Sequence, residues 1–123
     1  VADQAGRAGV GADGVHLPSA GLTVMDLKAW VPRGFIIGVS CHSLREARLA
    51  AENGADYIAF GPVYSTPSKL KYGDPVGINA LRRVCRSISI PVFGLGGITA
   101  ERIPAVLQAG AAGIAGISLF QRG

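Results

Sequence analysis

Apolar residues fall in short runs separated by longer stretches of mixed character. The runs begin near residues 14, 36, 57, 91 and 114, as in Gly14-Val15-His16-Leu17, Phe35-Ile36-Ile37-Gly38-Val39 and Ile90-Pro91-Val92-Phe93-Gly94-Leu95. They are strand-length and apolar enough to be buried on both faces, which predicts a parallel sheet. The stretches between them carry helix signals. Thr23 with Asp26 and Ser43 with Glu46 have capping-box spacing, predicting helices over roughly 23–31 and 43–53. Two more are expected over 78–87 and about 100–109, with Pro104 in or near the first turn of the last.

One joint recurs three times: Gly11-Ala12-Asp13-Gly14-Val15, Gly54-Ala55-Asp56-Tyr57-Ile58 and Gly110-Ala111-Ala112-Gly113-Ile114. Each copy ends a helix-like segment and opens a strand-like run, so the glycine fits a left-handed C-cap and the alanine a turn packed under a sheet. Strand and helix therefore alternate, and the class is α/β. The repeat suits a (β/α)₈ TIM barrel, but five strands supply only about five of its eight units. We expect residues 1–123 to form one partial barrel domain, roughly strands four to eight. A five-stranded open doubly wound sheet is the competing topology.

With 123 residues, the chain has room for one domain. Hydrophobic residues make up 49% and charged residues 16%, so the chain should fold around a core rather than stay disordered. A net charge of +4 is mild, and the trio Arg82, Arg83 and Arg86 reads most simply as a solvated helix face. An anionic small molecule fits this charge better than nucleic acid does. Two cysteines, Cys41 and Cys85, make no disulfide framework and are expected reduced in a cytoplasmic protein. Residues 103–121 carry no charge, yet Pro104, Gln108, Gly110, Gly113 and Gly116 interrupt them, favouring a buried helix-to-strand unit over a membrane span. The N-terminus shows no secretory leader pattern and no initiator Met, consistent with a chain that is processed or cut from something longer.

In such a barrel the chemistry collects at the carboxyl ends of the strands, with phosphate held by the last two loops. Here those are Gly94-Leu95-Gly96-Gly97-Ile98 and Gly116-Ile117-Ser118-Leu119. Gly96 and Gly97 can offer bare backbone N–H groups beside the start of a helix, and Ser118 can add a donor, so the two loops should converge on one anion. Residues 61–77 form the one long connection, where Thr66, Ser68 and Lys69 suit a phosphate or diphosphate. A period of two places Ser40 and His42 on one side of their strand, with His42 at the barrel mouth as a proton carrier. His16 reads more simply as a structural histidine. Neither metal-ligand spacing nor a hydrolase triad stands out.

These segments, Gly11 to Leu17, Ile37 to Ser43, Gly54 to Ile58, Gly61 to Lys69, Ile90 to Thr99 and Gly110 to Ser118, together resemble thiamine phosphate synthase and its relative TenI. The resemblance implies a TIM barrel. It also implies thiazole phosphate over Gly96, Gly97, Ile117 and Ser118, and a diphosphate on residues matching Ser40, Thr66, Ser68 and Lys69. A synthase of this kind joins thiazole phosphate to an aminopyrimidine (hydroxymethylpyrimidine) diphosphate, expelling pyrophosphate, with Mg²⁺ as cofactor. A TenI-like enzyme instead moves a proton on thiazole phosphate, with a histidine matching His42 as acid/base and no metal. Gly21 stands where the synthases place an Asp for Mg²⁺, and Asp26 lies further along. The synthase is the expected activity, with the thiazole tautomerase and a truncated non-catalytic phosphate-binding fragment as alternatives. Open strand edges in a partial barrel predict a homo-oligomer.

Overall fold

The computed structural model describes residues 14–18, 24–66 and 73–116. Among the described residues, five strands, β1 (Gly14–Leu17), β2 (Ile36–Cys41), β3 (Tyr57–Phe60), β4 (Val92–Gly94) and β5 (Gly113–Ile114), alternate with four helices. These are α1 (Val24–Lys28), α2 (Leu44–Glu52), α3 (Ile78–Ser87) and α4 (Ile103–Gln108), the last preceded by a 3₁₀ turn over Ala100–Arg102. All strand pairs are parallel and the sheet order is β1-β2-β3-β4-β5. No strand inserts out of sequence, so the sheet lacks the reversal of a doubly wound fold and has the order of a barrel wall.

The repeated joints explain why each helix hands the chain to the next strand in the same way. Gly54 follows the end of α2 with φ of 102°, and Gly110 follows α4 with φ of 112°. At the first, the Gly54 N–H donates to Ala51 O and the Ala55 N–H to Ala50 O; at the second, the Gly110 N–H donates to Leu107 O and the Ala111 N–H to Val106 O. Both are Schellman closures, which satisfy carbonyls that a helix end otherwise leaves unpaired. Asp56 completes the first joint, its carboxylate accepting from the Ile37 N–H at 2.7 Å and its own N–H donating to Ile37 O. The third copy begins at Gly11, outside the described residues.

At the start of α2, the Ser43 hydroxyl accepts from the Glu46 N–H at 3.1 Å. The Glu46 carboxylate accepts from the His42 N–H at 2.6 Å, one residue before the partner a reciprocal capping box would use. Pro104 lies at the first turn of α4, where its missing N–H costs no helix bond. Thr23, the expected cap of α1, lies outside the described residues.

Burial corrects one expectation. The strands are not fully buried on both faces: β1 and β4 alternate, while β2 and β3 cover only Gly38 and Ala59 on the second face. Val15, Leu17, Ile37, Val39, Cys41, Ile58, Phe60 and Val92 point at the helices and are buried, packing with Ala47, Ala50, Leu81, Val84 and Val106. On the other face His16, Ser40, Tyr57 and Phe93 are only partly covered, and Ile36 is 49% exposed. A closed barrel would fill that face with side chains from opposite strands; five strands leave much of it open.

Candidate active site

Two loops at the carboxyl ends of β3 and β4 run in backbone contact. The ladder continues past the strands through Leu95 N–H to Phe60 O at 3.0 Å, Val63 N–H to Leu95 O at 2.8 Å and Tyr64 N–H to Gly96 O at 3.1 Å. Only glycine fits the crossing. Gly96 and Gly97 have φ of 98° and 66°, and a Cβ would lie 2.6 Å from Pro62 Cα at the first and 2.6 Å from Ser65 O at the second. The paired glycines are thus a packing requirement as well as a source of bare backbone.

Thr66 lies in this β3 loop, and Thr99 follows the β4 loop directly before the 3₁₀ turn. Their Oγ1 atoms are buried with no hydrogen-bond partner among the described residues, so both keep unused hydrogen-bonding capacity. The chain leaving β5 keeps to the same end of the sheet: the Ala115 N–H donates to Gly94 O at 2.8 Å, and a Cβ on Gly116 would touch Leu95 Cδ1. The structure therefore brings Tyr64 and Ser65, the residues just before Thr66, against the Gly96-Gly97 turn. Ser68, Lys69, Ile117 and Ser118 lie outside the described residues.

Ser40 belongs to a different group, on the open face of the sheet. Its Oγ is 2.7 Å from His16 Nε2, and His16 Nδ1 is 2.8 Å from the Tyr57 hydroxyl. His16 and Tyr57, with Ala59, Phe93, Leu95, Ile114 and Ala115, line a cavity of about 510 Å³. The Tyr57 ring meets Phe93 edge-on, centroids 5.5 Å apart. Burial lowers the His16 pKa and raises that of Tyr57, so a neutral imidazole faces a protonated phenol.

His42 stands apart from this network. Strand β2 ends at Cys41, so the period of two stops one residue short of it. Its half-exposed ring lies with Nδ1 3.6 Å from Glu46 Oε1. From the sequence His16 reads as structural and Tyr57 is not singled out; the structure joins the two through their side chains. The signal lay in the register, which sets His16 and Tyr57 on either side of Gly38, the one position on β2 with no side chain to separate them.

Among the described residues, no three or more His, Cys, Asp or Glu side chains come together to hold a metal ion. Gly21, the position matching the expected Mg²⁺ ligand, lies outside the described residues. No helix among the described residues is long and apolar enough to cross a membrane.

A family model described as thiamine monophosphate synthase matches residues 2–120. The chain belongs to that family. A Geobacter sulfurreducens protein whose name assigns it provisionally to thiamine-phosphate synthase is 53% identical over 108 residues, covering 88% of this chain and 51% of its own length. The thiamine-phosphate synthase of Methanocella arvoryzae is 49% identical over 107 residues, covering 87% of this chain and 50% of its own. Among solved structures, thiamine phosphate pyrophosphorylase from Pyrococcus furiosus superposes with a TM-score of 0.76 at 38% identity, covering 87% of this chain and 50% of that one. The α/β wall described above is thus part of a TIM-barrel-type fold, and the chain spans about half the length of these family members.

Proposed function

We propose that this chain supplies the anion-binding half of a thiamine-phosphate synthase, a transferase that couples thiazole phosphate to hydroxymethylpyrimidine diphosphate and releases pyrophosphate. The observation that carries this reading is the backbone-to-backbone seam between the β3 and β4 loops, with the unpartnered Thr66 and Thr99 hydroxyls at its margins, in a chain of this family.

Each residue has a task in the reading. Gly96 and Gly97, with Ile117 and Ser118, hold the thiazole phosphate. Ser40, Thr66, Ser68 and Lys69 hold the diphosphate, whose departure leaves the pyrimidine methylene open to the thiazole nitrogen. Developing charge on a leaving diphosphate is stabilised best by donors already fixed in place, and the glycine turns fix them. Mg²⁺, when bound, would add charge neutralisation on the diphosphate, and no cluster of three or more acidic, His or Cys side chains is assembled for it among the described residues. His42 is the acid/base of the tautomerase reading, and the names of the relatives favour the synthase over it. Free Cys41 and Cys85 suit a cytoplasmic setting, and the end strands β1 and β5 favour association, with a second copy or with further barrel strands.

The test is a chimera in which this sequence replaces the matching half of the Methanocella arvoryzae enzyme. Supplied with thiazole phosphate, pyrimidine diphosphate and Mg²⁺, it should form thiamine phosphate. A folded chimera that yields none would overturn the reading, and one that only interconverts thiazole phosphate isomers, losing this with His42→Ala, would install the tautomerase instead.

A further inference from the structure

His16, Gly38 and Tyr57 sit at one level on three adjacent strands. A Cβ on Gly38 would fall 1.9 Å from Tyr57 Cζ, so the ring lies flat across the glycine and spans the width of β2 to reach His16. The two rings are tilted by 30° with centroids 5.6 Å apart. Ser40, two residues beyond Gly38 on the same face of β2, takes the other imidazole nitrogen. Both nitrogens of one half-buried ring are therefore engaged by hydroxyls.

A neutral imidazole has one N–H and one bare nitrogen, so one of the two hydroxyls donates to it and the other accepts from it. A phenol is the stronger donor and the weaker acceptor of the pair. Burial keeps Tyr57 protonated and His16 uncharged, which leaves this neutral arrangement in force near neutral pH. The phenol proton then goes to Nδ1, the ring proton rests on Nε2, and Nε2–H donates to Ser40 Oγ. With that lone pair occupied, the Ser40 proton is free for a further acceptor.

We propose that Tyr57 is a positioning residue: through His16 it fixes the Ser40 hydroxyl as a hydrogen-bond donor to an anionic group of the substrate. The proposal rests on the reading of Ser40 as a diphosphate ligand. The reverse polarity, with Ser40 donating to Nε2, would present a lone pair to that anion and repel it.

Long-range ¹H–¹⁵N correlation spectra of the chain report the His16 tautomer directly, and a titration with inorganic pyrophosphate reports the donor. Tyr57→Phe keeps the ring over Gly38 and removes one oxygen. The unsubstituted chain should show the proton on Nε2. Tyr57→Phe should mix the two tautomers and weaken pyrophosphate binding about five- to tenfold. Ser40→Ala should weaken it similarly, and the double variant should lose little more, because Tyr57 acts through Ser40. A proton on Nδ1 in the unsubstituted chain, or pyrophosphate binding unchanged by Tyr57→Phe, would overturn the proposal while leaving the synthase reading intact. Binding unaffected by Ser40→Ala would remove Ser40 from the diphosphate ligands and the proposal with it, even if the tautomer is as expected.

Discussion

Arg102 donates from Nη1 to the carbonyl oxygen of Gly97 at 2.8 Å while its guanidinium covers the Tyr64 ring, 4.4 Å from the centroid. One side chain thereby braces the β4 loop against the β3 loop from outside. The contacts are exposed, so each contributes modestly, on the order of 1 kcal/mol. Arg102→Ala should lower stability by about that amount in urea titrations and weaken inorganic phosphate binding severalfold. Arg102→Lys should restore less than half of either, since an ammonium lacks the planar fork that serves carbonyl and ring together. Unaltered phosphate binding in Arg102→Ala would show that the loop holds its shape unaided.

Gly97→Ala separates sterics from backbone strain. At Gly34, φ is 90° and nothing lies within 4 Å of an added Cβ, so alanine there should cost only the left-handed penalty of about 1–2 kcal/mol. At Gly97 the same penalty is joined by a clash with Ser65 O, which is backbone and can yield only if the β3 loop shifts. Denaturant titrations should find Gly97→Ala at least about 1 kcal/mol worse than Gly34→Ala. Equal costs would mean the seam between the loops is loose.

Stability should fall as the solution is acidified below neutrality. The folded-state pKa of His16 is lowered from 6.5 by burial. The unfolded chain therefore takes up this proton first, and His16 favours the folded state above about 6.5 and ceases to as pH drops through its folded value. The half-exposed ring keeps the slope well under the ~1.4 kcal/mol per pH unit available to one fully buried group. Urea midpoints measured between about pH 7.5 and 5 should decline, and His16→Gln should flatten the decline. Parallel curves for the two proteins would assign the acid sensitivity to other groups.

The two thiols should differ in reactivity. Burial, and secondarily the Glu46 carboxylate, pushes Cys41 up to about 12, so near pH 8 only ~10⁻⁴ of it is thiolate. Cys85 is also raised by burial but is partly exposed. An alkylating reagent followed by mass spectrometry should modify Cys85 first in the native chain and both in urea. Prompt native labelling of Cys41 would indicate that β2 opens.

Local chemistry was readable in the sequence wherever neighbours along the chain determine it. Helix α3 falls on 78–87 as its pattern indicates, Ser43 caps α2, and Gly54 and Gly110 take the left-handed conformation that their place after a helix requires. The seam formed by Gly96 and Gly97 could be located but not its reason, because Pro62 and Ser65 come from another unit. The contrast between His42 and His16 has the same origin. Parity along β2 reaches His42 only if the strand extends to it; β2 ends at Cys41, and the His42 N–H is bonded to Glu46 at the start of α2. The importance of His16 comes from partners 24 and 41 residues away, reached only after three strands are set in register.

The Schellman turns at Gly54 and Gly110 lie at the amino rim of the wall, opposite the rim that carries the loops after β3 and β4. They act as struts that set the pitch between one strand and the next without touching whatever is bound across the sheet. Substitutions at the loop rim can retune the ligand while the spacing survives; substitutions at the strut rim change the spacing itself, and every distance at the far rim with it.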